Sequence, residues 1–165
     1  MDLAREIERH VGSEGWDQPA RMFALARTAE LVALEPALAA VLEAEAADPH
    51  SLTPIEQERL DTSRPLDEVL ATTTWPPEVA GAALVLERIV LPPEVEESLP
   101  DDEAELEAIV AEHPDRQDVR MAVVVLREGG RMCVLRLRSH DEDADVLVGA
   151  DVVPRLADAL AATLR

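Results

Sequence analysis

Apolar and polar positions fall into register most clearly over residues 116–139, where two runs rich in Val, Leu and Met flank Glu128-Gly129-Gly130-Arg131. The pattern predicts a β-hairpin, because paired glycines tolerate the positive φ of a tight hairpin loop. A two- or four-residue loop sets Arg127 opposite Met132, and then Leu126 opposite Cys133, Val124 opposite Leu135 and Ala122 opposite Leu137. Those six inner positions make an apolar core face. The other face collects Met121, Val123, Val125, Arg127, Met132, Val134, Arg136 and Arg138, apolar at its centre and arginine at its ends. One reading covers that centre with a helix or loop while the arginines reach water along their stems. The other makes it a contact surface, since arginine and methionine are enriched where proteins meet.

Outside the hairpin, residues 80–91 (AGAALVLERIVL) are apolar on both faces except at Glu87 and Arg88, as a strand covered on both sides would be. Residues 145–149 suit a short fourth strand. Helical spacing appears over 17–35, where Asp17 offers an N-cap and Met22, Ala26, Ala29 and Ala33 form a stripe. It recurs over 36–47, 101–112 and 151–164, the last marked by Leu156, Leu160 and Leu164. Shorter candidates are 2–11, the capping-box signature Thr53-Pro54-Ile55-Glu56, and 63–72. The order predicts an α+β fold with a mainly antiparallel sheet of about four strands (80–91, 117–127, 131–139, 145–149) packed with helices. Leu3 and Ile7 alone make a thin stripe, so 1–14 is expected as a mobile N-terminal segment before a single domain over 15–165.

Composition narrows the picture. With 165 residues, 47% hydrophobic and 2% aromatic, a self-sufficient core is feasible and is built from Ala, Val, Leu and Ile. The formal net charge of −20 repels phosphate backbones and anionic lipid, so neither nucleic acid nor a membrane surface is an expected partner. Cys133 is the one cysteine, which fits a reducing, cytoplasmic setting. The first residues, MDLAREIERH, lack the apolar core of a signal peptide, and no apolar run approaches a membrane span.

Candidate chemistry is sparse. There is no GxGxxG and no P-loop. His10, His50, His113 and His140 are scattered, so no metal site and no cofactor is expected. Ser139-His140-Asp141 resembles a triad only in one dimension, because triads converge from separate segments. Asp141, Asp143 and Asp145 alternate like the start of a calcium loop, but Val146 and Val152 stand where that loop needs Gly and Glu. No catalytic residue is assigned. The anion candidate is Arg136, Arg138 and His140, with Trp16 or Trp75 as a wall.

The strings GWDQPARMFALARTAELVALEPALA, SLTPIEQE, LVLERIVLPPE, HPDRQDVR and LRLRSHDEDADVLVG resemble an uncharacterised family of small acidic actinobacterial proteins, from Gly15 to Leu164. The resemblance implies an actinobacterial, cytoplasmic setting and transfers no catalytic residue, since that family has no assigned activity. Two functions follow as expectations. The first is a non-enzymatic protein-binding or adaptor/chaperone-like module, using the Met/Val/Arg face of the hairpin to hold a second copy or another protein. The alternative is a small anionic-ligand-binding protein or enzyme with a pocket near Arg136, Arg138 and His140.

Overall fold

The computed structural model describes residues 3–38, 40, 51–58, 63–90, 105, 117–150 and 152–164. Six strands, β1 (Arg21–Arg27), β2 (Leu52–Glu56), β3 (Val79–Val90), β4 (Gln117–Leu126), β5 (Arg131–Leu137) and β6 (Leu147–Gly149), form one sheet in the order β2-β1-β3-β4-β5-β6. Every neighbouring pair is antiparallel. Four α-helices are bounded within the described residues: α1 (Leu3–Gly12), α2 (Thr28–Leu34), α3 (Leu66–Ala71) and α4 (Pro154–Ala162). The fold is therefore α+β with an antiparallel sheet, as expected, but with six strands rather than about four.

The two additional strands come from segments that read as helices. Residues 17–35 split: Asp17 is not an N-cap but sits in a loop at φ 67°, 21–27 extend as β1, and only Thr28–Leu34 coil. Met22, Phe23, Ala24 and Leu25 are all buried, and a run apolar on every side carries no period to separate a central strand from a buried helix. Pairing with β3 on one side and β2 on the other decides it. Likewise Thr53-Pro54-Ile55-Glu56 extends along β1 instead of starting a helix. Of the helix expected over 36–47, the described part opens with a 3-10 turn, Pro36–Leu38. Its remainder, and nearly all of the helix expected over 101–112, lie outside the described residues.

Two apolar layers sandwich the sheet. On one face α1 packs Ala4, Ile7 and Val11 against Phe23, Leu25, Ala83, Val85, Ala122, Val124 and Val134. On the other, α3 and α4 cover Met22, Leu84, Val119, Met121, Val123, Val125 and Cys133. Helix α1 lies within the segment expected to be mobile, yet Ile7 and Val11 are each only 2% exposed. Burying side chains of that size is worth about 1.5–3 kcal/mol apiece, which is what docks the helix.

The hairpin forms where the pattern placed it, but its faces do not. The Gly129 amide donates to the Leu126 carbonyl (2.9 Å), the Leu126 amide donates to the Gly130 carbonyl (2.7 Å), and Gly129 takes φ 113°. That is a three-residue loop closed by a left-handed glycine, not a two- or four-residue one. An odd loop moves one strand by an odd number of positions and exchanges its faces. Val123 therefore meets Cys133, Ala122 meets Val134, and Arg120 meets Arg136. The set Met121, Val123, Val125, Arg127, Met132, Val134, Arg136 and Arg138 is accordingly divided: Met121, Val123 and Val125 lie beneath α3 and α4, whereas Met132 and Val134 lie with α1. The protein's own helices cover both halves.

Candidate functional site

The odd loop has a chemical result. It brings Arg120 of β4 and Arg136 of β5 directly opposite each other on the α1 face, at the end of the sheet away from the hairpin tip. Glu8 of α1 projects between them. Glu8 is 1% exposed, Arg120 2% and Arg136 7%, so three charged groups are withdrawn from water together. Burying a charge is tolerable only when it is paired and hydrogen-bonded. Arg136 meets that need with a fork: its Nε donates to Glu8 Oε1 and its Nη2 to Glu8 Oε2 at 3.2 Å. Its Nη1 donates to Asp141 Oδ1 at 3.1 Å. Arg120 is less well served. Its Nη1 stands 3.8 Å from Glu8 Oε1, and its Nη2 donates to the Gly15 carbonyl at 2.6 Å. Its Nε is buried with no hydrogen-bond partner among the described residues.

The loop over residues 13–20 closes this corner. Gly12 leaves room for the guanidinium, since a Cβ there would come 2.7 Å from Arg120 Nη1. Trp16 lays its ring over Arg120, with the guanidinium carbon 4.3 Å from the ring centroid, and its indole N–H donates to Asp141 Oδ2 at 3.0 Å. Such a cation–π contact is worth about 0.5–2 kcal/mol, more as water is excluded. The loop is held in turn by Glu87 of β3, whose carboxylate accepts the Asp17 amide at 2.8 Å and the Gln18 amide at 2.9 Å. The Gln18 side-chain amide donates to the carbonyls of Val11 (2.7 Å) and Gly15 (2.6 Å), fastening the end of α1. Between α1 and the sheet remains a cleft of about 250 Å³ lined by Glu8, Arg9, Gly12, Ser13, Arg120, Arg136 and Asp141.

Of the residues expected to hold an anion, Arg136 lies in this cluster. Arg138 sits beside it, gripping Asp17 with two nitrogens (3.0 and 3.3 Å) and reaching Asp118 at 3.4 Å. The Asp17 hydrogen bond is the first cause that holds the Arg138 guanidinium above its ordinary value. His140 is exposed and shares a 3.0 Å hydrogen bond with Ser139 Oγ. Trp16 is a wall of the site, whereas Trp75 donates to Thr163 on the opposite face of the sheet. Arg127 is remote, at the hairpin tip, where its guanidinium donates to the carbonyls of Pro76, Val79 and Leu164 and ties the end of α4 to the start of β3.

Neither Glu8 nor Arg120 is among the candidate site residues that the sequence suggests, yet both leave a signal in it. Ala4, Ile7, Glu8 and Val11 follow helical spacing, so Glu8 stands within the apolar stripe of α1. Arg120 and Arg136 occupy the alternating inward positions of their strands, in line with Ala122, Val124 and Val134. A charge at an inward position implies a buried partner.

The described residues thus define an all-antiparallel α+β protein with a buried arginine–carboxylate cluster at one corner of the sheet. No group of three or more His, Cys, Asp or Glu side chains among them is placed to hold a metal, and none of their helices is long and apolar enough to cross a membrane. The chain belongs to the PPA1309-like protein family, whose model matches residues 1–165 and so includes the N-terminal dozen residues. Comparison with curated proteins and with solved structures gives no match.

Proposed function

We propose that this protein is a non-enzymatic binding module that takes a small anionic ligand in the cleft between α1 and strands β4 and β5. The observation that carries the reading is Arg120, a buried residue of the cleft lining whose Nε–H has no acceptor among the described residues. An unsatisfied buried donor costs about 1–3 kcal/mol, a penalty that a bound acceptor removes. Its neighbours agree with an anion. Arg120 and Arg136 stand side by side with Glu8 as the buried carboxylate they share. Both cleft carboxylates, Glu8 and Asp141, are engaged by guanidinium groups. The buried Cys133 suits work in the cytoplasm.

Calorimetric titration of the full chain at low ionic strength, with small organic acids and inorganic phosphate, tests this. Arg120→Lys keeps the charge and removes the Nε donor, and should weaken binding about tenfold or more, the worth of one charge-assisted hydrogen bond. Equal affinity in that variant, with its circular dichroism unchanged, or no anion bound at all, overturns the reading.

Capture of another protein is the second reading. It draws on β6, the edge of the sheet, where Leu147 is 58% and Val148 38% exposed.

A further inference from the structure

We propose that the ligand of this cleft is a small monocarboxylate, and that it binds by displacing Asp141 from Arg136. The inference rests on the anion-binding reading and adds the ligand's class and the internal group it competes with.

Size sets the first limit. A space of about 250 Å³ falls below the ~300–1,000 Å³ of pockets for drug-sized ligands and suits an acid of a few carbons, not a nucleotide. The available donors set the second. Arg120 offers its unpartnered Nε–H. Across the strand pair, Arg136 offers Nη1, now held at 3.1 Å by Asp141, a side chain still 47% exposed. Arg120 and Arg136 are paired across the strands, and two such N–H groups equal in number the two oxygens of one carboxylate. The protein already makes the same kind of contact inside the cluster, where the Glu8 carboxylate is forked by Arg136 and stands 3.8 Å from Arg120.

Asp141 therefore acts as a built-in occupant. It sits beside the 3-10 turn Arg138–His140, in the connection between β5 and β6, and spends one oxygen on Arg136 and the other on the Trp16 indole. A ligand carboxylate that takes Arg136 Nη1 releases both contacts. Trp16 then reports occupancy of the site, and the Asp141 tether sets its threshold.

The test is a titration of the ¹⁵N-labelled full chain with sodium propionate, following the two tryptophan indole N–H resonances. Assignment comes from Trp16→Phe and Trp75→Phe. The Trp16 resonance should move to saturation while that of Trp75, bonded to Thr163 on the other side of the sheet, stays in place. Asp141→Asn, a change on a half-exposed side chain, should bind propionate about tenfold more tightly because the competing charge is gone. Propionate binding with the Trp16 resonance unmoved, or with unchanged affinity in Asp141→Asn, overturns displacement while leaving anion binding intact. Preference for inorganic phosphate overturns the carboxylate class. Binding of a capped tetrapeptide with a free C-terminal carboxylate, but not of propionate, overturns the free-acid assignment. No binding by either the wild type or Asp141→Asn removes the underlying reading as well.

Discussion

Glu8 concentrates the energetics of the corner in one side chain. It is the buried acid facing both Arg120 and Arg136, and each guanidinium was desolvated on the condition that it be there. Removing one partner of a buried ion pair leaves an uncompensated charge and costs about 3–5 kcal/mol, against a total stability of about 5–15 kcal/mol for a domain. Glu8→Gln should therefore lower the free energy of urea unfolding by roughly 3 kcal/mol or more. A loss below about 1 kcal/mol would mean that the arginines find other acceptors when Glu8 is neutralised. Much of this was legible: Glu8 interrupts an apolar stripe, and Arg120 and Arg136 interrupt two alternating strands. What was not legible is that the three interruptions coincide, since Glu8 and Arg136 are 128 residues apart.

Among the elements, the hairpin shows how one loop residue governs chemistry. Strands, turn and glycines follow from the pattern, but an even loop and an odd loop use the same letters. The odd loop places Val123 at 0% and Val134 at 1% exposure on opposite faces, one under α4 and the other under α1. Val123→Glu and Val134→Glu, made separately, should each abolish the cooperative thermal transition seen by circular dichroism, because each buries an unpaired carboxylate in a different apolar layer. A folded Val123→Glu monomer would restore the open contact face that the sequence pattern suggested. The same ambiguity turned 21–27 from helix to strand. Local apolarity says that a segment is buried, and neighbours decide in which conformation.

At the scale of the whole molecule, edges and charge decide which partners fit. Edge strand β2 carries Pro54, a residue that blunts edge pairing. Edge strand β6 is three residues long and follows an acidic stretch with Asp141, Glu142, Asp143 and Asp145. Two copies meeting at β6 would press those stretches together, on chains that each carry a net charge of −20. Like charges at such range repel within a Debye length of about 8 Å at physiological salt. Sedimentation velocity in dilute buffer should accordingly show a monomer. A dimer that Leu147→Glu dissociates would instead favour protein capture at this edge over anion binding in the cleft.

By itself the sequence determined the kind of molecule: an acidic α+β chain with an aliphatic core, a glycine-turned hairpin and a final Leu-striped helix. Those features are local, written in period, turn chemistry and composition, and they need no partner to be read. The tertiary structure alone decided the parity of the hairpin, the conversion of two apparent helical stretches into strands, and the meeting of Glu8, Trp16, Arg120, Arg136 and Asp141 at one corner. Each of these depends on which surfaces lie against one another. That is settled by burial and hydrogen bonding between segments distant in sequence, a cost and gain that no single segment carries.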